Sequence, residues 1–257
     1  MPSYDDPDER CARPTGRATF RFTSLEPDDP DLAQELRGWI LTAQAFLARG
    51  VTPPTRARLE DSLRIVGELS RVLAGEEEGE GVTEQRTVHA AVHRGRIQAV
   101  TSLFVCPGAA FVELLATAPW NLLGPADPPD ARTVRGAGSA LVERAVTLSR
   151  GAGAGGRVTL QAENPRAFAV YQKLGFERMR PSDAPLALVP RGKDGFSKSV
   201  VRLARGAAGP EEARAPWMLL DPGRAAVRAR GAAPRALVSH LPLAAAAARP
   251  PALRRAG

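Results

Sequence analysis

Residues 133–176 constrain the fold of this chain more than any other stretch, because two helix starts and a strand are written there in a fixed order. A turn, Arg135-Gly136-Ala137-Gly138-Ser139, precedes Leu141, Val142, Ala145 and Leu148 at helical spacing, and Gly151 supplies a stop. The run Arg157-Val158-Thr159-Leu160-Gln161-Ala162-Glu163 then alternates apolar and polar side chains, as a strand does. Asn164 can cap a second helix, and Pro165 suits its first position. Asn164 and Tyr171 are almost two turns apart at about 3.6 residues per turn, so Asn164, Ala167 and Tyr171 share one face.

A helix opened by two glycines can present several backbone N–H groups at the positive end of its dipole, since glycine lets a ligand approach without a Cβ in the way. That suits a phosphate, although Gly136-x-Gly138 alone is equally compatible with an ordinary loop.

The pattern N-x-x-A-x-x-x-Y-x-K-x-G-F at Asn164, Ala167, Tyr171, Lys173, Gly175 and Phe176, preceded by the x-G-x-G turn, resembles the GNAT superfamily of acyl-coenzyme A-dependent N-acetyltransferases. The resemblance covers about residues 17–205 and implies an α/β (α+β) fold, a mixed, splayed central β-sheet flanked by helices. It implies acetyl-CoA as cosubstrate and direct acetyl transfer to an amine of a small molecule or protein. The cofactor residues it implies are Leu115, Ala116 and Thr117 on a strand, Arg135, Gly136, Ala137, Gly138 and Ser139 at the turn, and Asn164, Tyr171 and Lys173 at the second helix. Tyr171 is placed as the acid that protonates the departing thiolate. Glu113 is the local candidate for the base, because Glu113, Leu115 and Thr117 share a strand face; a surface or salt-bridged glutamate fits the same pattern. The family's usual Gln or Arg at the start of the turn is Thr133 here, and Arg132 or Arg135 can stand in for it. An acyl-CoA-binding sensor without turnover is the alternative reading.

The net charge of +7 raises nucleic acid as a partner, but its distribution argues against one. Residues 206–257 hold eight arginines against Glu211, Glu212 and Asp221, so +5 of the +7 belongs to that segment. Its Ala, Arg, Pro and Gly composition offers little apolar bulk to offset chain entropy. A flexible terminus over 1–16, one domain over 17–205 and a disordered tail over 206–257 are therefore expected, with 217–220 able to dock on the domain. No run of about 18 apolar residues occurs and the opening residues are acidic, so neither a membrane span nor a signal peptide is expected, and a cytoplasmic location is. Cys11 and Cys106 read as free thiols, and His89, His93 and His240 form no ligand cluster with them, so no metal is expected.

Along the rest of the chain, alternation marks a strand over 18–23. Asp29-Pro30 starts a helix whose apolar stripe runs from Leu32 to Leu47 and ends at Gly50, and a second stripe runs from Leu59 to Leu73. Strands follow over 87–92, 96–105 and 110–117, and closing strands over 186–189 and 199–203. Residues 118–130 are a proline-rich insertion in which Trp120 either covers an apolar acceptor or plugs the sheet edge.

Overall fold

The computed structural model describes residues 18–26, 29–74, 86–187 and 215–224. Among them, in chain order, are β1 (Arg21–Leu25), α1 (Pro30–Arg49), α2 (Pro53–Leu73), β2 (Arg86–His93), β3 (Arg96–Val105) and β4 (Ala110–Thr117). These are followed by α3 (Ala137–Gly151), β5 (Val158–Gln161), α4 (Pro165–Lys173), β6 (Glu177–Arg178) and β7 (Trp217–Leu220). Among the described residues the strands form one mixed sheet in the order β1-β2-β3-β4-β5-β7-β6, with a parallel β4–β5 pair and antiparallel neighbours elsewhere.

Helices cover both faces of the sheet. Successive strand residues point to opposite sides: Ala90 joins Leu36, Trp39, Val66 and Leu69 of α1 and α2, whereas Ala91 joins Ala137 and Leu141 of α3. On the side of α3, Val142 and Ala145 meet Leu103, Val112 and Leu160, with Phe168 and Tyr171 of α4 alongside.

Two irregularities shape the centre of the sheet. Ser102 pairs with Leu114 and Leu103 with Val112, so Glu113 is an extra residue in β4, a bulge that bends the strand. The parallel β4–β5 register ends at Val112 opposite Leu160, while β4 runs on to Thr117. Past the bulge, β4 is paired only with β3 among the described residues, and its main-chain groups on the other edge face a cleft.

Two expectations for the C-terminal part are corrected. Trp217–Leu220 lies within the segment read as a tail, yet it forms β7, inserted between β5 and β6, with Trp217, Met218 and Leu219 buried. The domain therefore extends at least to Leu220: four consecutive bulky residues suffice for an interior strand even where the surrounding composition is poor. Leu186 and Ala187 belong to a 3-10 segment, Pro181–Ala187, instead of a strand; Pro181 and Pro185 have no N–H to give to a ladder. The expected strand over 199–203, the N-terminal residues 1–16 and the rest of the tail, 206–214 and 225–257, fall outside the described residues.

Candidate active site

The cleft between β4 and β5 widens into a cavity of about 620 Å³. One wall is the start of α3. Gly136 caps that helix at φ +96°, a left-handed conformation that favours glycine, and no side chain bonds to the first N–H groups of the helix. Gly138 has a separate duty. A Cβ there would lie 3.3 Å from Thr117 Cγ2 and 3.4 Å from Leu115 Cδ2, so the missing side chain lets the first turn of α3 sit against the free end of β4. Unpaired helix amides and an unpaired strand edge thus border the same space.

The opposite wall is the start of α4. Asn164 caps it, its Oδ1 accepting from the Ala167 N–H at 2.9 Å, and Asn164, Ala167 and Tyr171 all line the cavity, as their spacing predicts. The Tyr171 ring packs on Phe176 with centroids 5.5 Å apart. Among the described residues nothing hydrogen-bonds its hydroxyl. Burial, followed by the negative charge of Glu163, pushes the phenol up to about 12, so it remains protonated and able to donate at neutral pH.

Of the residues named from sequence, Glu113, Leu115, Ala116, Thr117, Gly136, Gly138, Ser139, Asn164 and Tyr171 border the cavity; Arg135, Ala137 and Lys173 do not. The Arg135 guanidinium points back into the 118–135 loop, donating to the carbonyls of Asn121 and Leu123 at 2.7 and 2.5 Å. Ala137 is buried beneath α3, and Lys173 is exposed at the end of α4.

Glu113 borders the cavity as one half of an ion pair. Arg86 donates to it through Nε at 3.0 Å and Nη2 at 3.3 Å, and Ser102 Oγ adds a third bond at 2.8 Å, with both charged side chains largely buried. The carboxylate anchors the bulge on which it sits.

Trp120 does not cover an acceptor. It is buried, donates from Nε1 to Gln98 Oε1 at 2.9 Å, meets Trp39 edge-on at 6.2 Å and carries the Arg132 guanidinium 4.3 Å above its ring. The insertion is plugged into the core through this ring.

Helix α2 forms the remaining wall, and none of its residues there was named from sequence. Arg58, Asp61, Ser62, Ile65 and Glu68 face the cavity. They follow helical spacing, so a polar stripe running beside the apolar one was the available signal. The helix reaches across the cleft to α4: Asp61 accepts from Asn164 Nδ2 at 3.1 Å and Arg166 Nη1 at 3.0 Å, and Arg64 pairs with Glu163.

Residues 129–176 match the model of the acetyltransferase (GNAT) family, over the stretch that carries the glycine turn and the Asn164-to-Phe176 motif. Among solved structures, the chain is similar to aminoglycoside 6'-acetyltransferase type Ii at 13% identity, covering 78% of this chain and 96% of that one, TM-score 0.41. It is similar to the PaiA N-acetyltransferase from Thermoplasma acidophilum in complex with coenzyme A at 12% identity, covering 79% and 99%, TM-score 0.39. An acetyltransferase from Thermus thermophilus aligns at 16% identity, covering 79% and 97%, TM-score 0.41. No curated protein sequence matches the chain. The resemblance read from the sequence thus holds at the level of the family segment, and the fold is the expected mixed sheet flanked by helices. No helix among the described residues is long and apolar enough to cross a membrane.

Proposed function

We propose that the chain is an N-acetyltransferase that moves an acetyl group from acetyl-CoA directly onto an amine. The observation that carries this reading is the free edge of β4 after the Glu113 bulge, set against the uncapped, glycine-opened start of α3. An extended pantetheine arm, with its two internal amides, can hydrogen-bond a strand edge, as a further strand would. A pyrophosphate can accept from helix-start amides. The two features border one cavity.

In the proposed reaction a neutral amine nitrogen attacks the thioester carbonyl, the C–S bond breaks, and the sulfur takes the phenolic proton of Tyr171. A β4 N–H at 114–117 stabilises the developing oxyanion; a donor in such a role is worth about 3–4 kcal/mol in other enzymes. Glu113 is occupied by Arg86 and Ser102, so the surplus proton on the amine passes to water, water returns a proton to the Tyr171 phenolate, and Glu113 holds the bulge that shapes the strand edge.

The reading is tested by calorimetry of acetyl-CoA with the full chain, together with thiol release across a panel of primary amines, aminoglycosides and peptide N-termini. Binding with amine-dependent thiol release supports it. Binding without release from any amine would identify an acyl-CoA sensor instead, and absence of binding would remove the cofactor assignment altogether.

A further inference from the structure

The insertion and the start of α2 together hold a guanidinium at the cavity, and nothing in the scheme above uses it. Arg58 lines the cavity beside Leu122 and Gly136. It is fixed from behind: Nε donates to Pro54 O at 3.2 Å, and Nη2 donates to Thr55 Oγ1 at 2.8 Å. Thr55, fully buried, donates its own hydroxyl proton to Asp127 Oδ2 at 2.5 Å. Asp127 comes from the insertion and also accepts from the N–H of Thr52 at 2.8 Å and of Gly124 at 2.6 Å. The packing leaves no room for a side chain at Gly124, where a Cβ would fall 3.0 Å from Asp127 Oδ2, 3.2 Å from Thr55 Oγ1 and 3.3 Å from Arg58 Nη2.

Arg135 and Arg166 both repel this guanidinium and Asp127 opposes them; Arg166 is itself paired with Asp61, and Arg135 is held by the carbonyls of Asn121 and Leu123. Among the described residues no carboxylate bonds Arg58. Burial, then the field of Arg135, lowers its affinity for its proton. The planar fork of arginine matches phosphate oxygens, and Arg58 is held at the cavity by a carbonyl and a hydroxyl that leave its charge to be met by an anion.

We propose that Arg58 is a phosphate-binding residue of the nucleotide end of the site, positioned by the Thr55–Asp127 relay, and that the 118–130 insertion serves as the brace of that relay. The assignment rests on the acyl-CoA reading above. It gives the insertion a role at the phosphates instead of at the acceptor.

The test measures CoA affinity by calorimetry as a function of sodium chloride for the full chain and for Arg58→Gln, Arg58→Lys and Thr55→Val. Loss of one charge-assisted contact weakens CoA about ten- to a hundredfold in Arg58→Gln. It also flattens the salt dependence. Arg58→Lys recovers most of the affinity, and Thr55→Val shows a smaller loss in the same direction. Dephospho-CoA separates the two sources of phosphate: an undiminished loss assigns Arg58 to the pyrophosphate, and a vanished loss assigns it to the 3'-phosphate. A purely structural arginine would leave the salt dependence unchanged and would not be rescued by lysine, and either result overturns the assignment. CoA affinity in Arg58→Gln within twofold of the parent overturns it while leaving the acyltransferase reading intact; a parent chain that binds no CoA overturns both.

Discussion

Met218→Ala tests the placement of the late strand directly. Met218 is fully buried, pairs with Leu160 of β5 on one side and Arg178 of β6 on the other, and packs among Val158, Leu160 and Phe176. Truncating a buried methionine to alanine costs about 2–5 kcal/mol in well-packed cores, so a loss of about 3 kcal/mol is expected. At roughly 2–4 °C per kcal/mol for a domain of this size, the melting temperature should fall by about 6–12 °C. Leu41→Ala is the matched control, because Leu41 is 66% exposed on α1 and its truncation should move the melt by no more than about 2 °C. A chain ending at 214 loses Trp217, Met218 and Leu219 together, at roughly 1.5–3 kcal/mol each. That sum is comparable with the whole stability of a typical domain, so the truncated chain should show no cooperative melt. Thermal unfolding followed by circular dichroism reads all three. A Met218→Ala midpoint no lower than that of Leu41→Ala would mean that 217–220 does not belong to the sheet.

Tyr171→Phe keeps the ring on Phe176 but removes the donor, so kcat should fall at least about 10²-fold while KM for acetyl-CoA barely moves; a kcat within twofold of the parent would leave solvent as the acid. Because burial and Glu163 hold the phenol up to about 12 against an ordinary 10.0, no falling limb from this group should enter the kcat profile below about pH 10. Its stabilising contribution is complete below pH 10 and is lost as pH rises toward 12. Glu113→Gln should be read in stability before activity: it removes the carboxylate charge that Arg86 pairs with in the interior, at a cost of up to about 3–5 kcal/mol, and kcat measured well below the melt should stay within about fivefold of the parent, whereas a drop of 10²-fold or more would restore Glu113 as the base. Burial opposes ionisation of Asp127, but the bonds from Thr52, Thr55 and Gly124 outweigh it and bring its carboxyl from 3.8 to about 2. Its contribution is therefore present above about pH 4 and lost as pH falls toward 2, and urea titrations of Asp127→Ala should lack that acid limb.

The parts of the fold that were legible are those whose signals are local. Helix α1 starts at Pro30 because Asp29 caps it, accepting from the N–H groups of Asp31 and Leu32, and it stops before Gly50 at φ +81°; all three signals lie in the sequence within one turn of the boundary. Helix α2 was legible only from Leu59 onward. Its true start at Pro53 has no side-chain cap of its own, since Pro53 and Pro54 remove two N–H groups and the carboxylate that completes the end, Asp127, stands 75 residues away. Strand β7 was lost for a related reason. Four residues in an Ala/Arg/Pro-rich segment give no periodicity to count, and what makes them a strand is pairing with β5 and β6, far back along the chain.

The candidate site divides along the same line. The wall from Gly136 to Tyr171 is a continuous motif, whereas the wall from Arg58 to Glu68 enters the site only because α2 packs beside β4. What holds α2 against α4 across the cleft is weaker than the ion pairs there suggest. Arg64, Glu163, Arg166 and Asp61 all have side chains at least one third exposed, and exposed pairs of this kind contribute about 0–1 kcal/mol each. The two ion pairs together therefore contribute on the order of 0–2 kcal/mol to the contact between α2 and α4. The Asp127 anchorage of the α2 start is the opposite case. It combines a buried carboxylate with four donors, and Arg58 lies one turn from that anchor. Leu59, Val66 and Leu69 bury the rest of α2 in the core, so what is held loosely is confined to the exposed side chains that reach from α2 toward α4.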